Sequence, residues 1–333
     1  MAKVLFIGAV HEALPAFEAL CASDNVEVSG VVTLKNAMAV SGGCSVDIST
    51  AAERRGITTH ILSDVNSPLL VEDILPFGAD MAFVVGWNRL IPQPVLDVFP
   101  LGVYGFHASA LPKDRGRAPV NWAIIKGYTR TANTMMRLSA GVDLGDVVDQ
   151  RFTPIFYDDT CATVYARIAD LGAQMIVSNL PAILAGRLST TRQDPSEGNN
   201  LPKRTPDMGV VDWTMAPTEI HNWIRAQTSP YPGAFSELNG RRVSIWSSSP
   251  PSVNANLGGD LRPGTIVQAD AGGVVVQAEL GTIRLTSLTW ADGNPVDHEQ
   301  LDVGSAFSQP AGDWASWAKG LGARPERLAF GDA

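Results

Sequence analysis

Two side chains suited to acid–base chemistry, His107 and Asp143, lie near the middle of this sequence. His107 ends a short apolar segment that predicts a strand, and a loop with Pro112 and Gly116 follows it. Asp143 lies in an Asp-Leu-Gly turn that the next hairpin would carry back toward that strand. A carboxylate beside an imidazole orients the ring and stabilises its charged form. The two residues therefore predict an acid–base site.

The first half of the chain predicts the sheet that positions this pair. Apolar runs at Lys3–Gly8, Val26–Thr33 and Met81–Val85 are typical of buried strands, with helical apolar spacing between the first two. Such alternation favours an α/β fold with a mostly parallel sheet, in which ligands bind beyond the carboxyl ends of the strands. No G-x-G-x-x-G run follows the first strand, so a nicotinamide cofactor is not supported.

The chain of 333 residues is too long for one small core, which predicts two domains. Its composition turns polar and rich in helix breakers near residue 193. We therefore predict a catalytic domain over 1–192, a linker over 193–204, a second domain over 205–305 and a tail over 306–333. Short alternating runs separated by glycines predict a small β-barrel for the second domain.

Net charge and composition limit the partners. A net charge of −9 weighs against a nucleic-acid partner, and the basic pair Lys203–Arg204 is interpreted as part of a solvated linker. No apolar run is long enough to span a membrane. The three cysteines have neither disulfide nor zinc spacing, so we predict a reducing cytoplasm and no metal.

A segment directly after the Met81–Val85 run suggests a ligand contact. It contains Trp87, Asn88, Leu90 and Ile91. An aromatic ring, an amide and backbone groups at a strand end can hold a flat heterocycle. An ordinary strand-to-helix turn, with Pro92 opening the helix, explains the segment equally well.

Three stretches resemble a known family. HASALPKDRGRAPVNWAIIKG, GVDLGDVV and KRTPDMGVVDW…IRAQTSPYPGAFS resemble the 10-formyltetrahydrofolate-dependent formyltransferases, which act on methionyl-tRNA, nucleotide-linked amino sugars or hydroxyornithine. The resemblance extends over nearly the whole chain, to about residue 300. It implies a Rossmann-like catalytic domain, a C-terminal barrel of OB-like topology, and 10-formyltetrahydrofolate as the co-substrate.

The resemblance also implies roles for single residues. His107 relays the proton of the attacking amine, and Asp143 orients His107. A slot for the pterin would be formed by the Trp87–Asn88 segment, the apolar side chains of Leu90, Ile91, Leu111 and Pro112, and the backbone of Gly141 and Val142. Ser109 either buttresses the loop or is a plain turn serine.

The sequence departs from the family pattern at Gly105. The family has an asparagine two residues before the histidine, and its amide contacts the oxygen that becomes negative during transfer. Losing one such donor typically costs about 100- to 1,000-fold in rate. We expect one of three situations: a water or a polar side chain (Asn121, Asn133 or Ser139) fills the space, protonated His107 is the main donor, or the protein is slow or inactive. A Gly105→Asn change is expected to leave activity unchanged or raise it.

Three further residues are assigned to the acceptor. Arg115 faces the acceptor or is a surface arginine, His11 follows the first strand, and Asn121 belongs to the helix-like run after the loop. The remaining histidines, at positions 60, 221 and 298, are interpreted as structural or exposed. Trp122 is interpreted as core.

The acceptor is predicted to be a small amine. Residues 33–48, where tRNA-acting members have a basic insertion, contain one lysine, and acidic side chains outnumber basic ones over 205–305. Two alternatives remain: a 10-formyltetrahydrofolate hydrolase, which in its known form has an additional N-terminal domain, and a non-catalytic folate- or nucleotide-binding protein. The sequence leaves the oligomeric state open, with a homodimer as one option.

Overall fold

The computed structural model of the chain describes residues 1–10, 12–34, 48–62, 69–87, 89–250 and 261–308. They form two compact units, one of Met1–Val120, Arg130–Ile155 and Ala162–Lys203, the other of Asn121–Thr129, Phe156–Cys161 and the described residues from Arg204 on. The domain boundaries given above stay a prediction. No helix in the described ranges is long and apolar enough to cross a membrane.

The elements up to residue 201 are as follows. They are β1 (Ala2–Gly8), α1 (Ala13–Cys21), β2 (Val26–Leu34), α2 (Ile48–Glu53), β3 (Thr59–Leu62), α3 (Val71–Ile74), β4 (Met81–Val85), α4 (Gln93–Leu96), β5 (Val103–His107), β6 (Arg115–Gly116), α5 (Pro119–Ile125), β7 (Arg130–Arg137), β8 (Asp146–Pro154), α6 (Cys161–Leu184) and β9 (Asn200–Leu201).

Seven of these strands form one sheet in the order β3-β2-β1-β4-β5-β7-β8. The strands from β3 to β5 in that order are parallel, whereas β7 runs antiparallel to both β5 and β8. The predicted α/β fold with a mostly parallel sheet is confirmed. The hairpin β7–β8 follows His107 in the chain and places a second strand beside it, which is how the turn with Asp143 returns to the site.

The apolar run of β1 is continuous because both faces of the sheet are covered. Val4 and Phe6 belong to a core cluster with α1 and α6, whereas Leu5 and Ile7 belong to a second cluster with α3 and α4. Side chains alternate between the faces of a strand, so a strand buried on both sides must be apolar at every position. This burial anchors β1, β4 and β5, whose carboxyl ends lie at one edge.

The second unit contains a curled antiparallel sheet. Its elements are α7 (Pro217–Arg225), β10 (Ala234–Leu238), β11 (Arg241–Ser248), β12 (Ile266–Asp270), β13 (Gly273–Ala278), β14 (Gly281–Trp290) and β15 (Phe307–Ser308). The strands pair in the order β12-β13-β14-β11-β10-β15, and a bridge between Thr265 and Ala306 brings the two sheet ends together. The small β-barrel expected from the glycine-separated runs is therefore present as a curled, half-barrel sheet.

The interpretation of Arg204 as a solvated residue is wrong. Its guanidinium lies between the rings of Trp122 and Trp223, 4.9 and 4.8 Å from their centroids, and donates to the side-chain oxygen of Gln227. Burial lowers the pKa of Arg204 to about 10. Trp122 is buried, as predicted. Stacking on two indoles stabilises the charged guanidinium in this partly buried position.

His221, interpreted as structural or exposed, is a buried residue of α7. Its Nε2 lies 3.1 Å from the Tyr157 carbonyl oxygen, which can only accept, so Nε2 carries a proton. Its Nδ1 lies 2.9 Å from the Ser248 hydroxyl. Burial lowers the pKa of His221 and the positive charge of Arg225 lowers it further, while the bond to Tyr157 acts in the opposite direction.

This burial predicts a pH dependence of stability. Because the folded state holds the pKa of His221 below the unfolded value of about 6.5, its contribution is present above that pH and is lost as the pH falls below it. Urea unfolding of the wild type and of His221→Gln between pH 8 and pH 5 measures this. The stability advantage of the wild type should shrink as the pH falls. An advantage that stays constant over this range would contradict the prediction.

Candidate active site

His107 is the last residue of β5 and is 7% exposed. Its strand is paired with β4 on one side and β7 on the other, and the backbone of His107 lies opposite Thr134. Gly105 precedes it by two positions and therefore faces the same side of the sheet. The imidazole projects from a rigid, doubly paired strand, which fixes its position.

The two ring nitrogens of His107 have different neighbours. Nε2 lies 2.8 Å from the carbonyl oxygen of Asp114, and Nδ1 lies 3.5 Å from Oδ2 of Asp143. A carbonyl oxygen accepts only, so the proton of the neutral ring is assigned to Nε2. Nδ1 then has its lone pair available beside a carboxylate. This is the arrangement of a general base whose protonated form the carboxylate stabilises.

Asp143 is held in place by main-chain contacts. It has a φ of 51°, in the left-handed region, and its Oδ2 accepts a hydrogen bond from the backbone N–H of Gly116 at 2.9 Å. Gly145 closes the same turn, where a Cβ would lie 2.1 Å from the carbonyl oxygen of Arg137. Only glycine permits this close approach. The conformation of the Asp-Leu-Gly turn is thus fixed by the contacts of Asp143 and by the glycine at position 145.

The segment 193–201, predicted to be a linker, packs on the loop that follows His107. β9 pairs with β6, and Asn199 bonds to Asp114 twice: its Oδ1 accepts from the Asp114 backbone N–H at 2.8 Å, and its Nδ2 donates to Asp114 Oδ1 at 3.0 Å. Asp114 also has a positive φ, of 55°. The carbonyl oxygen of Asp114 accepts the hydrogen bond from Nε2 of His107. A segment distant in sequence therefore holds this oxygen in place.

Arg115 belongs to this same contact. Its side chain is 5% exposed, and its guanidinium donates to the carbonyls of Asp194 and Pro195 at 3.4 Å. The interpretation as a surface arginine is wrong, because the side chain is buried under the 193–201 segment. Its assignment to the acceptor stays a prediction.

Behind the loop lies a hydrogen-bond network that the sequence analysis missed. Thr134 donates to the Ser109 carbonyl at 2.7 Å and accepts from the Gln150 amide at 2.9 Å, and Gln150 also reaches the Leu111 carbonyl. Ser109 donates to the carbonyl of Lys113 at 2.7 Å. The buttressing predicted for Ser109 is thus part of a larger network. In the sequence, this network is indicated by polar residues within the strands, namely the buried Thr134 of β7 and the partly buried Gln150 of β8.

The space beside Gly105 is occupied by Leu138. A Cβ on Gly105 would lie 2.5 Å from Cδ2 and 3.0 Å from Cγ of this leucine. The predicted polar replacement is therefore wrong. Asn133 faces the other side of β7, where its amide donates to the Ile168 carbonyl, and Ser139 is exposed. Asn121 belongs to the second unit and donates to the Ala226 carbonyl.

The residues assigned to the pterin lie on three loops, which follow β4, β5 and β7. Trp87 and Leu90 follow β4. The indole Nε1 of Trp87 is buried without a partner among the described residues, whereas the side chain of Leu90 is exposed. Ile91 and Leu111 are buried, and Val142 is exposed in the turn before Asp143. Pro112 and Gly141, in the same loops as Leu111 and Val142, are partly buried. The predicted Asn88 and His11 lie outside the described residues.

Electrostatically, the central feature of the site is the His107–Asp143 pair. Within the described ranges, no group of three or more His, Cys, Asp or Glu side chains is placed to hold a metal ion. The arrangement is able to accept a proton at Nδ1 and to stabilise the resulting charge. This chemistry suits attack on a carbonyl-type carbon by a neutral nucleophile that loses its N–H or O–H proton as the new bond forms.

Comparison with known proteins gives two matching family models. Residues 4–180 match the model described as "Formyl transferase", and residues 203–305 match "Formyl transferase, C-terminal domain". A methionyl-tRNA formyltransferase of Solibacter usitatus (strain Ellin6076) is 32% identical over 310 residues, which cover 91% of this chain and 99% of that protein.

Solved structures with the same fold are more distant in sequence. WlaRD, described as a sugar 3N-formyl transferase in the presence of dTDP and 5-N-formyl-THF, is similar with a TM-score of 0.62, 18% identity, and coverage of 86% of this chain and 97% of its own. An N-formyltransferase from Helicobacter canadensis, solved with folinic acid and dTDP-3-aminofucose, has a TM-score of 0.59, 18% identity and coverage of 86% and 99%.

The contact between Gly105 and Leu138 predicts an effect of Gly105→Asn on stability, in addition to the effect on activity expected above. Because the new side chain overlaps Leu138, the variant should lose roughly 1–3 kcal/mol of unfolding free energy. Adding Leu138→Ala removes the overlap, so the double variant should be more stable than the sum of the two single effects. Urea unfolding of all four proteins measures this coupling. Strictly additive effects would contradict the prediction.

Proposed function

This chain belongs to the formyl transferase family, and on that premise we propose that it moves a formyl group from 10-formyltetrahydrofolate to the amine of a small molecule. The family members and structural neighbours are enzymes that transfer formyl groups. The acceptor class and the roles of single residues are the proposed part.

The observation that carries the proposal is the geometry of His107. Its Nε2 donates to the Asp114 carbonyl, so Nδ1 is left as the basic atom beside Asp143. As the amine nitrogen bonds to the formyl carbon, Nδ1 takes the proton that this nitrogen loses. His107 then returns the proton to N10 of the folate as the bond from N10 to the formyl carbon breaks. Asp143 stabilises the imidazolium between these two transfers.

The loops beyond β4 and β7 supply groups that fit a reduced folate. The buried indole Nε1 of Trp87, which has no partner among the described residues, is a donor for a ring nitrogen or oxygen, and exposed Leu90 and Val142 suit the apolar faces of a pterin. An orphaned buried donor at the carboxyl end of a parallel strand supports a ligand at that place. These residues would hold and orient the donor of the formyl group.

The charge of the chain supports a small acceptor. A protein that binds tRNA gains affinity by neutralising phosphates, whereas this chain has a net charge of −9 and more acidic than basic side chains over 205–305. The second candidate is methionyl-tRNA, and the specific observation in its favour is the 32% identity with relatives of that name. We favour the small amine because the charge applies to this chain itself.

An acceptor panel separates these functions. Purified protein is incubated with 10-formyltetrahydrofolate and, in turn, with amino-acid-derived amines or hydroxylamines, nucleotide-linked amino sugars, methionyl-tRNA, or no acceptor. Formyl product and tetrahydrofolate should appear together only with a small amine. Transfer to methionyl-tRNA alone would contradict the small-acceptor proposal. Tetrahydrofolate release at the same rate without an acceptor would indicate hydrolysis, and binding without turnover would indicate a binding protein.

Removing either member of the pair should remove catalysis without unfolding the protein. His107→Ala and Asp143→Ala are each expected to lower kcat by about 100-fold or more, because the proton acceptor or its orienting charge is lost. His60 and Asp73 form a matched control, since their side chains pair at 3.1 Å in the same unit. His60→Ala and Asp73→Ala should retain wild-type kcat. Near-normal turnover by either member of the catalytic pair would contradict the assigned roles.

A further inference from the structure

Gln193 is a buried amide whose donor atom is used entirely within the catalytic turn. It is 7% exposed, and its Nε2 donates to the carbonyl oxygens of Asp143 and Gly145 at 2.9 and 2.6 Å. Both acceptors are main-chain oxygens, so the nitrogen must face the turn. The side chain therefore connects the two ends of the Asp-Leu-Gly sequence.

The turn requires support from outside its own residues. Asp143 has a φ of 51°, in the left-handed region that is unfavourable for a residue with a Cβ. Such conformations persist where surrounding contacts over-determine them. The two bonds from Gln193 are contacts of this kind, and they hold the carbonyls on both sides of Leu144.

The orientation of the Asp143 carboxylate depends on this main-chain geometry. With the backbone so held, Oδ2 accepts from the Gly116 N–H at 2.9 Å and lies 3.5 Å from His107 Nδ1. A change in φ at Asp143 would swing the carboxylate away from both. Misplacing a catalytic group by about 1 Å is sufficient to lower a rate about 100-fold.

We propose that Gln193 is a positioning residue for formyl transfer, which sets the left-handed turn that keeps the Asp143 carboxylate beside Nδ1 of His107. The expected effect on kcat rests on the proposed function, whereas the expected effect on the turn does not. Gln193 acts through Asp143, so its loss should affect the chemical step rather than the binding of substrates.

The primary variants are Gln193→Leu and Gln193→Glu. The first removes the donor and the second replaces it with a carboxylate of similar size, which cannot donate when ionised. Each should lower kcat about 10- to 100-fold with little change in the KM for the folate. Two variants are used so that a folding defect in one does not prevent the test.

Gln277 is a matched control in the second unit. It is also buried, at 3% exposed, its Nε2 donates to the Ala278 carbonyl at 2.7 Å, and, like Gln193, it has a buried Oε1 without a partner among the described residues. Gln277→Leu should lose stability yet retain wild-type kcat. An equal loss of kcat in the Gln193 and Gln277 variants would mean that general destabilisation lowers kcat. That result would overturn the proposal.

A double-mutant cycle tests whether Gln193 acts through Asp143. In an Asp143→Asn background, the further change Gln193→Leu should cost less than 2-fold in kcat, because the carboxylate that Gln193 positions is already absent. A full 10- to 100-fold loss in that background would overturn the proposal. A purely structural role would produce the same loss in both backgrounds.

A structural measurement separates this inference from the proposed function. Crystal structures of the wild type and of Gln193→Leu, without ligand, should show Asp143 leaving the left-handed region and Oδ2 moving more than 1 Å from His107 Nδ1. An unchanged turn would overturn the inference whether or not the protein transfers formyl groups. Failure of the wild type on every amine, with the turn displaced in the variant, would contradict the proposed function, while the part of this inference that concerns the turn and the Asp143 carboxylate would be supported.

Discussion

The site depends on the imidazole of His107 being held between a carbonyl and a carboxylate. Nε2 donates to the Asp114 oxygen, and this contact leaves Nδ1 as the basic atom beside Asp143. A histidine with both nitrogens solvated has no such preference, since either tautomer is then available. The contact with the fixed carbonyl thus leaves Nδ1 as the ring nitrogen that faces the carboxylate.

This arrangement explains why so much of the first unit converges on one loop. Both flanking residues, Asp114 and Asp143, adopt left-handed φ values and need external support. Asn199 supports Asp114, and Gln193 bonds to the carbonyl of Asp143. The polar segment after α6 therefore completes the site.

Gly105 shows how packing and chemistry compete at one position. The apolar side chain of Leu138 fills the space beside Gly105, on the face that also bears His107. Glycine has no side chain and leucine has no hydrogen-bond donor in its side chain, so this position offers no side-chain donor to a bound ligand. Leu138 is partly buried against the core cluster that contains Leu5 and Ile7, so its packing makes this side of the site apolar.

The sequence by itself determined the α/β class, the separate C-terminal sheet and the two residues that meet at the site. Those features depend on local periodicity, on glycine positions such as Gly145, and on motif spacing, all of which are visible along the chain. Only the tertiary structure decided which nitrogen of His107 is free, what fills the space at Gly105, and that Gln193 and Arg115 are buried. The reason is physical: these properties arise from contacts between segments distant in sequence, and a polar side chain has the same local signature whether it is solvated or buried against carbonyls.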